Sequence, residues 1–240
     1  MSAVVNKIRA LALLIRTLGL ANTLRYKVQR LRMRGRAASR PLAVRVPGSP
    51  HPVWFRPGTS DIDVFHQVFV RQEYACLNGV SEPRLIIDGG ANVGYSAVWF
   101  LIRFPTAKVI AVEPDAANAD LLERNLKPYG DRVRVVRSAL WPRPAGLVVR
   151  PGGDGRAWAW QVRESAAWET PDLTATEIGV LLLDSGEPRI SILKLRIEGA
   201  EQQIFAAGDP GWLSRTDAVA IELHDADCRK AFFNAVAVGL

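Results

Sequence analysis

Two acidic residues and a glycine-rich turn are the part of this sequence best suited to chemistry by residue type and spacing. Asp88 ends the apolar run Leu85–Ile87, and the turn Gly89–Gly94 follows directly. Glu113 ends a second apolar run, nineteen residues after Gly94. This layout is typical of a nucleotide-binding loop at the carboxyl end of a first parallel strand. A carboxylate at the end of the second strand can accept hydrogen bonds from both hydroxyls of a ribose.

The charge beside the turn distinguishes two classes of ligand. An acid directly before the first glycine would repel the pyrophosphate of a dinucleotide, which normally binds at the N-terminus of the following helix. S-adenosylmethionine carries a cationic sulfonium and no phosphate, so Asp88 favours it. The spacing Gly89-x-Ala91-x-x-Gly94 also matches a loosened dinucleotide fingerprint, and a nicotinamide oxidoreductase therefore stays open. An ordinary tight turn between a strand and a helix is the third interpretation.

Charge is distributed unevenly along the 240 residues. The net charge is +7, but residues 1–60 hold twelve Lys or Arg and no acid, whereas residues 61–240 carry a balance of −5. A basic segment on a mildly acidic domain indicates an anionic surface as its partner, and does not indicate nucleic-acid binding by the domain. Cys76 and Cys228 lie 152 positions apart without metal-ligand or redox spacing. We therefore expect a reducing, cytoplasmic location, no disulfide and no metal site.

Residues 1–40 are predicted to form a basic amphipathic leader, and residues 41–240 the main domain. Apolar residues recur at three- and four-residue steps through residues 3–36, which predicts a helix or a helix pair. Its uncharged stretches are far shorter than the ~20 residues that span a bilayer. Three roles fit this leader: packing on the domain, lying on an anionic membrane, or serving as an organelle transit peptide.

Beyond the leader, strand and helix patterns alternate. This alternation predicts an α/β fold with a Rossmann-like, doubly wound and mostly parallel sheet. The predicted strands are 43–46, 52–55, 84–88, 108–113, 132–136, 190–195 and 217–223. The predicted helices are 61–77, 94–104, 115–127, 173–184, 200–207 and 228–237. Prolines and glycines break the rhythm in the interval 141–171, where only short strand-like pieces are expected.

The last two predicted strands bring further charged residues to the crevice beside the turn. Lys194, Arg196 and Glu198 lie at the end of the fourth parallel strand, and Glu222 and His224 at the end of the fifth. Side chains alternate along a strand, so Glu222 and His224 share a face. A histidine titrates near neutral pH and suits a general base for a hydroxyl donor. Ion pairing, and a histidine with purely structural partners, are the alternatives.

Taken in order, these segments resemble the FkbM-type methyltransferases, S-adenosylmethionine-dependent enzymes with the class I Rossmann-like fold that typically methylate oxygen. The matching pieces are Phe55–Asp61, Val64–Gln67, Glu73-Tyr74, Asp88–Gly94, Glu113-Pro114, Asn118, Asn125, Leu193–Glu201 and Glu222–His224. The resemblance implies that the turn cradles the methionyl part, that Glu113 holds the ribose and that Ser138 lies near the adenine. The cofactor-binding residues expected by this resemblance are Asp88, Gly89, Gly90, Asn92, Gly94, Tyr95, Glu113 and Ser138.

Two departures from the family pattern bear on activity. The family usually has an acid at the position of Arg196, so this charge either removes a base or metal role or adapts the crevice to an anionic substrate. Class I enzymes also add a sixth and a seventh strand, whereas seventeen residues follow Leu223. The sheet is therefore expected to lack its last two strands. The fifth would be an edge that the leader or a second copy in a homo-oligomer covers.

The predicted function is methyl transfer from S-adenosylmethionine to a hydroxyl of a sugar, a glycan or a secondary metabolite. His224 is the first candidate base and Glu198 the second, and Glu222 lies beside them. Lys194 and Arg196 would orient the acceptor. A catalytically impaired cofactor-binding module, a nicotinamide oxidoreductase and a membrane-surface scaffold are the rival functions.

Overall fold

Eleven strands and eight α-helices are found in the part of the chain that the computed structural model describes, which is residues 3–33, 41–151, 160–197, 200–206, 211–223 and 225–239. The helices are α1 Ala3–Leu18, α2 Leu20–Met33, α3 Asp61–Phe65, α4 Tyr95–Arg103, α5 Ala116–Leu126, α6 Ile178–Ser185, α7 Ala200–Ala206 and α8 Ala226–Gly239. The strands are β1 Leu42–Arg45, β2 Pro52–Phe55, β3 Leu85–Gly89, β4 Lys108–Val112, β5 Val133–Val136, β6 Ala139–Leu140, β7 Ala145–Pro151, β8 Trp160–Glu164, β9 Leu173–Thr176, β10 Ile192–Leu195 and β11 Val219–Ile221.

The central sheet consists of five parallel strands in the order β11-β10-β3-β4-β5. The strand order reverses between β3 and β10, and ligands of open α/β sheets bind beside the carboxyl ends of strands at such a point. The predicted α/β fold with a doubly wound parallel sheet is confirmed. Each end of these five strands lies within two residues of its predicted position. Among the described strands β11 is an edge, as expected.

Alternate side chains of the central strands enter two separate cores. On the first face, Ile86, Val109 and Ile192 pack with α4, α5 and the antiparallel hairpin of β1 and β2. On the second face, Ile87 and Leu193 pack with α6, α7 and α8. This division decides which polar side chains meet. A polar residue at the end of a strand lies on the same face as the core residue two positions before it.

The two leader helices pack against the first face. Leu14, Leu18 and Tyr26 are buried in the same core as the hairpin, and the Tyr26 ring stacks on Phe65 with 5.8 Å between ring centroids. The helices break at Gly19, whose φ of +76° favours glycine. Among the helices described, none combines the length and the apolar character needed to cross a membrane. The division into a leader and a main domain stays a prediction.

The helix predicted for residues 173–184 is wrong in its first part. Residues Leu173–Thr176 form β9, and α6 begins only at Ile178. The four residues alternate in polarity, and their backbone pairs with β6 on one side and β7 on the other. Strand pairing therefore outweighs the helical pattern that the leucines further along suggested.

The helix predicted for residues 61–77 is also interrupted. After α3 the chain continues as a π-helix over His66–Val70, and Gln72 takes a φ of +55° before a 3-10 helix over Glu73–Gly79. Val68, Phe69 and Val70 are consecutive and all buried. A π-helical turn contains more residues than an α-helical turn, so consecutive side chains lie somewhat closer together around its axis.

A smaller sheet follows β5 and occupies the interval of irregular sequence. Its four strands have the order β6-β9-β7-β8, with β7 antiparallel to both of its neighbours. Trp141, Leu147 and Ala175 form its small core. Leu140 of this sheet also contacts the main core on the second face, so the small sheet is attached close to the carboxyl ends of the central strands.

Candidate functional site

The turn Gly89–Gly94 connects β3 to α4 at the carboxyl edge of the central sheet. Gly90, Asn92 and Gly94 take positive φ angles of 69°, 51° and 90°. A Cβ on Gly90 would overlap the main-chain oxygen of Arg196, because the turn lies directly against the end of β10. Glycine is therefore required at this position by both its φ angle and its surroundings.

The backbone N–H groups from Gly90 to Gly94 are all engaged within the protein. Those of Gly90 and Ala91 donate to the carbonyl of Val112 at 3.0 and 2.9 Å. That of Asn92 donates to Glu113 at 2.8 Å, that of Val93 to the Asn92 side chain at 2.7 Å, and that of Gly94 to the Ala91 carbonyl at 2.8 Å. These five donors are therefore not available to a pyrophosphate bound at the turn.

Glu113 follows β4 and faces the turn. Its Oε2 accepts the N–H of Asn92 at 2.8 Å, and its Oε1 accepts the N–H of Asp115 at 3.0 Å and the Asn118 amide at 3.4 Å. Burial raises the pKa of Glu113 above its usual range. A carboxylate offers about four acceptor positions, so roughly one remains for a ligand hydroxyl. The expectation that Glu113 accepts from two ribose hydroxyls requires that the long Asn118 contact be replaced.

A chain of polar contacts links the N-terminal hairpin to Glu113. Arg56 pairs with the buried Asp61 at 2.8 Å, and this contact raises the pKa of Arg56. The same guanidinium donates to Oδ1 of Asn118 at 2.6 Å, which leaves the amide nitrogen of Asn118 directed at Glu113. Three of the segments that carry the family resemblance, those of Arg56, Asn118 and Glu113, are thus connected.

Asp88 is buried and paired within the protein, and the contact with a cationic ligand expected of it stays a prediction. The residue is 0% exposed, and its Oδ1 lies 2.9 Å from the ammonium of Lys194, while Ser96 donates to Oδ2 at 2.6 Å. The angles at Oδ1 are poor for a hydrogen bond, so this contact is an ion pair. Asp88 and Lys194 are register partners on adjacent strands and point to the same face. Internal pairing therefore compensates the charge that the prediction assigned to the ligand.

Lys194 is also paired within the protein, and its role in orienting an acceptor stays a prediction. Its side chain is buried, and its ammonium donates to the carbonyls of Gly89 and Gly90 at 3.1 and 2.7 Å. The ammonium thus joins the carboxylate of Asp88 to the first two residues of the turn. We name Asp88, Ser96 and Lys194 the turn support, because together they hold the turn from the first face of the sheet.

Arg196 and Glu222 meet at the outer end of the crevice. Nε of Arg196 lies 2.5 Å from a carboxylate oxygen of Glu222, and Nη1 donates to Gln67 at 3.3 Å and lies 3.8 Å from Glu73. The Arg196 side chain is 29% exposed. We name Gln67, Glu73, Arg196 and Glu222 the crevice mouth. The positive charge that departs from the family pattern is balanced there by acids from two different segments.

Tyr74 is a residue of the site that the sequence reasoning missed. Its ring packs on Trp99 and Phe100 with centroid distances of 6.0 and 5.4 Å. Burial is the main reason why its pKa is raised, and the negative charges of Asp88 and Glu73 add to the effect. The phenol therefore keeps its proton, under the electrostatic influence of Asp88 and Glu73. The dipeptide Glu73-Tyr74 belongs to the segments that resemble the family, and this was the available signal.

Tyr95 and Ser138 differ in how well they fit the predicted cofactor contacts. The Tyr95 side chain is buried against Phe65 and Phe69 and donates to the carbonyl of Trp54 at 2.9 Å, so it turns away from the crevice. The cofactor contact predicted for Tyr95 stays a prediction. Ser138 follows β5 at the expected edge, where its hydroxyl donates to the carbonyl of Thr174 at 2.9 Å. Its contact with an adenine stays a prediction.

The two candidate bases, His224 and Glu198, lie outside the described residues. Their catalytic roles therefore stay predictions. Within the described ranges, no group of three His, Cys, Asp or Glu residues is close enough to hold a metal ion.

The fold and the site together define the class of the protein. The sheet is parallel and its strand order reverses. A glycine-rich turn follows its first strand and an acid follows its second. These features define a Rossmann-like fold of the kind that binds nucleotide cofactors. The family model described as the methyltransferase FkbM domain matches residues 88–235. The chain belongs to the FkbM methyltransferase domain family, as the sequence resemblance predicted.

Two relatives of this chain are named as methyltransferases. Methyltransferase sdnD of Sordaria araneosa is 35% identical over 179 residues, which cover 61% of this chain and 68% of sdnD. 2-O-methyltransferase NoeI of Sinorhizobium fredii is 27% identical over 156 residues, which cover 59% of this chain and 63% of NoeI. The crystal structure of methyltransferase FkbM from Methylobacillus flagellatus KT aligns with 72% of this chain and 41% of its own, at 16% identity and a TM-score of 0.47. This chain thus spans part of the length of each.

Proposed function

We propose that the protein transfers a methyl group from S-adenosylmethionine to a hydroxyl oxygen of a sugar, a glycan or a secondary metabolite. The family supports methyl transfer, and the name of the relative NoeI refers to methylation of oxygen in that protein. The observation that carries the choice of cofactor is the turn with its neighbouring carboxylate. The N–H groups of the turn donate to partners within the protein, which disfavours a pyrophosphate. Glu113 retains acceptor capacity for a ribose hydroxyl.

The residues around the turn would bind the cofactor through its uncharged groups. Glu113 would accept from the ribose, and the hydroxyl of Ser138 would be near the adenine. S-adenosylmethionine supplies an electrophilic methyl group on its sulfonium when bound. Because Lys194 compensates Asp88, attraction of the sulfonium by that acid is a minor contribution. The acceptor positions left on Glu113 and the place of Ser138 at the carboxyl edge of the sheet are the main supports for this ligand.

The crevice mouth favours a neutral acceptor. Glu73 and Glu222 together carry two negative charges against the single positive charge of Arg196. An acceptor with its own negative charge would meet no uncompensated cation there. A hydroxyl that attacks the methyl group needs positioning and a base. His224 and Glu198 are our candidate bases, and Arg196 with Glu222 would orient the acceptor.

Calorimetric titration with S-adenosylmethionine tests the cofactor assignment. Glu113→Gln removes acceptor positions for ribose, and we expect its dissociation constant to rise about 10- to 100-fold, as for loss of a hydrogen bond to a charged group. Glu123→Gln is the matched control, because Glu123 is exposed on α5 and pairs with Arg137. Circular dichroism shows whether each variant is folded. Absence of binding heat in the folded wild-type protein would contradict the proposal.

A cofactor-binding module without turnover is the second candidate function, and Arg196 is the observation that favours it. Transfer of a labelled methyl group to a panel of sugars, glycans and secondary metabolites separates the two functions. Binding of the cofactor without transfer to any acceptor would support the module. Reduced nicotinamide dinucleotide is included as the control ligand, and no fluorescence enhancement is expected from it.

A further inference from the structure

The outer face of α2 carries a continuous apolar stripe. Its members are Leu20, Leu24, Val28 and Leu31. Steps of four, four and three residues place them within about 80° of one another around the helix. Their exposed fractions are 71%, 64%, 38% and 65%. Thr23 and Tyr26 on the opposite side of the helix are buried, so the orientation of the stripe towards the outside is fixed by packing.

Exposed apolar side chains are concentrated on the leader helices. In the described part of the chain, ten large apolar side chains are exposed, and seven of them belong to α1 or α2. Ile8 on α1 is 61% exposed and extends the apolar surface beyond α2. The other three lie on separate elements, at Trp168, Leu183 and Phe233. A concentrated apolar surface of this kind marks an interaction site, whereas single exposed side chains do not.

The charge around the stripe indicates what covers it. Arg25 and Lys27 are exposed and lie on opposite flanks of the stripe. Residues 1–60 contain twelve basic residues and no acid. An apolar stripe between basic residues fits a surface with negative charge outside and hydrocarbon beneath, which is an anionic lipid bilayer.

We propose that α1 and α2 dock the protein on an anionic membrane, with the stripe of α2 inserted at the level of the headgroups. The 14 residues of α2 are too short to span a bilayer, and its inner side is held in the first core. The helix therefore lies in the plane of the membrane while the rest of the protein stays attached to it. This docking is independent of the cofactor and the acceptor, so its failure would leave the proposed methyl transfer untouched.

Co-sedimentation of the full chain with lipid vesicles tests the docking. Vesicles of phosphatidylcholine with about one third phosphatidylglycerol are compared with vesicles of phosphatidylcholine alone. We expect binding to the anionic vesicles only, and weaker binding at high salt because mobile ions screen the basic residues. Equal binding to both kinds of vesicle, or binding to neither, would overturn the proposal.

Two pairs of substitutions separate the apolar and the basic contributions. Leu24→Glu with Leu31→Glu removes two inserted leucines, and we expect the partition coefficient to fall at least about tenfold. Arg25→Gln with Lys27→Gln should lower it by about thirtyfold, from roughly 1 kcal/mol per basic residue. Leu183→Glu is the matched control, because Leu183 is 80% exposed on α6 and lies outside the leader. Its vesicle binding should equal that of the wild type.

Sedimentation velocity distinguishes the membrane from a second copy of the chain. If the wild type self-associates and the double leucine substitution abolishes this without changing vesicle binding, the stripe is an interface between copies and the proposal is wrong. Circular dichroism establishes folding of each variant. Should the double leucine substitution unfold the protein, the variant of Arg25 and Lys27 alone decides the outcome.

Discussion

The turn support and the crevice mouth are two charged groups on the same face of the sheet, yet they differ in nearly every physical respect. In the turn support, Asp88 and Lys194 are buried, and the ammonium reaches three oxygens. In the crevice mouth, Arg196 and Glu222 are partly exposed. The guanidinium of Arg196 contacts both Glu222 and Gln67. The comparison teaches that burial commits the first pair to structure, whereas exposure leaves the second free to contact a substrate.

The largest expected effect concerns the turn support. Lys194→Met leaves the carboxylate of Asp88 buried without a counter-charge, and we expect the free energy of unfolding to fall by about 3–5 kcal/mol. The double variant Asp88→Asn with Lys194→Met should recover much of this loss, because both charges are then absent. Urea denaturation measures all three free energies. If the free energy of unfolding of Lys194→Met fell by less than about 1 kcal/mol, the pair of Asp88 and Lys194 would behave like the exposed ion pairs of the crevice mouth.

An intermediate effect concerns Glu113 and its dependence on pH. Burial raises its pKa, so its contribution to folding is fully present below the unfolded pKa and is lost as pH rises through the folded pKa. Cofactor affinity depends on pH in the opposite direction. It falls as pH is lowered, because protonation removes acceptor positions from the carboxylate of Glu113. As pH is lowered, the wild type should therefore gain stability relative to Glu113→Gln and lose its advantage in affinity. Thermal melting and calorimetry at several pH values measure the two quantities. Shifts of the same sign would contradict this account.

The smallest effect on stability is expected in the crevice mouth. Arg196→Gln removes a partly exposed ion pair, and the free energy of unfolding should change by no more than about 1 kcal/mol. Its affinity for the cofactor should stay unchanged, while the KM for the acceptor should change. Arg189→Gln is the matched control, since Arg189 pairs with Asp217 in a similarly exposed place. If Arg196→Gln weakened cofactor binding as much as Glu113→Gln does, the two regions could not be separate.

The predictable parts of the fold are those in which neighbouring residues determine the outcome. Apolar runs such as Leu85–Ile87 and Val109–Val112 identify buried parallel strands, and the glycine-rich turn identifies the crevice. The strand Leu173–Thr176 was not predictable in the same way, because its pairing with β7 depends on residues more than twenty positions earlier. The π-helix over His66–Val70 likewise depends on how much of it the core buries.

The partners of the site residues were less predictable than their positions. The sequence predicts Asp88 and Lys194 at neighbouring strand ends, but the register that pairs them belongs to the folded sheet. An acid beside a glycine-rich turn looks available to a ligand until that partner is known. Tyr95 presents the same difficulty, since its hydroxyl bonds to Trp54 from a hairpin 41 residues earlier.

Every backbone N–H group from Gly90 to Gly94 donates a hydrogen bond within the protein, and this affects the dynamics of the segment. Amide protons held in such bonds exchange slowly with solvent whenever the surrounding structure is closed. The segment should therefore be protected from deuterium exchange before any ligand arrives, and little ordering entropy would accompany binding. A probe placed on these amides would consequently report the integrity of the sheet edge, while ligand occupancy would be read from side chains such as Glu113.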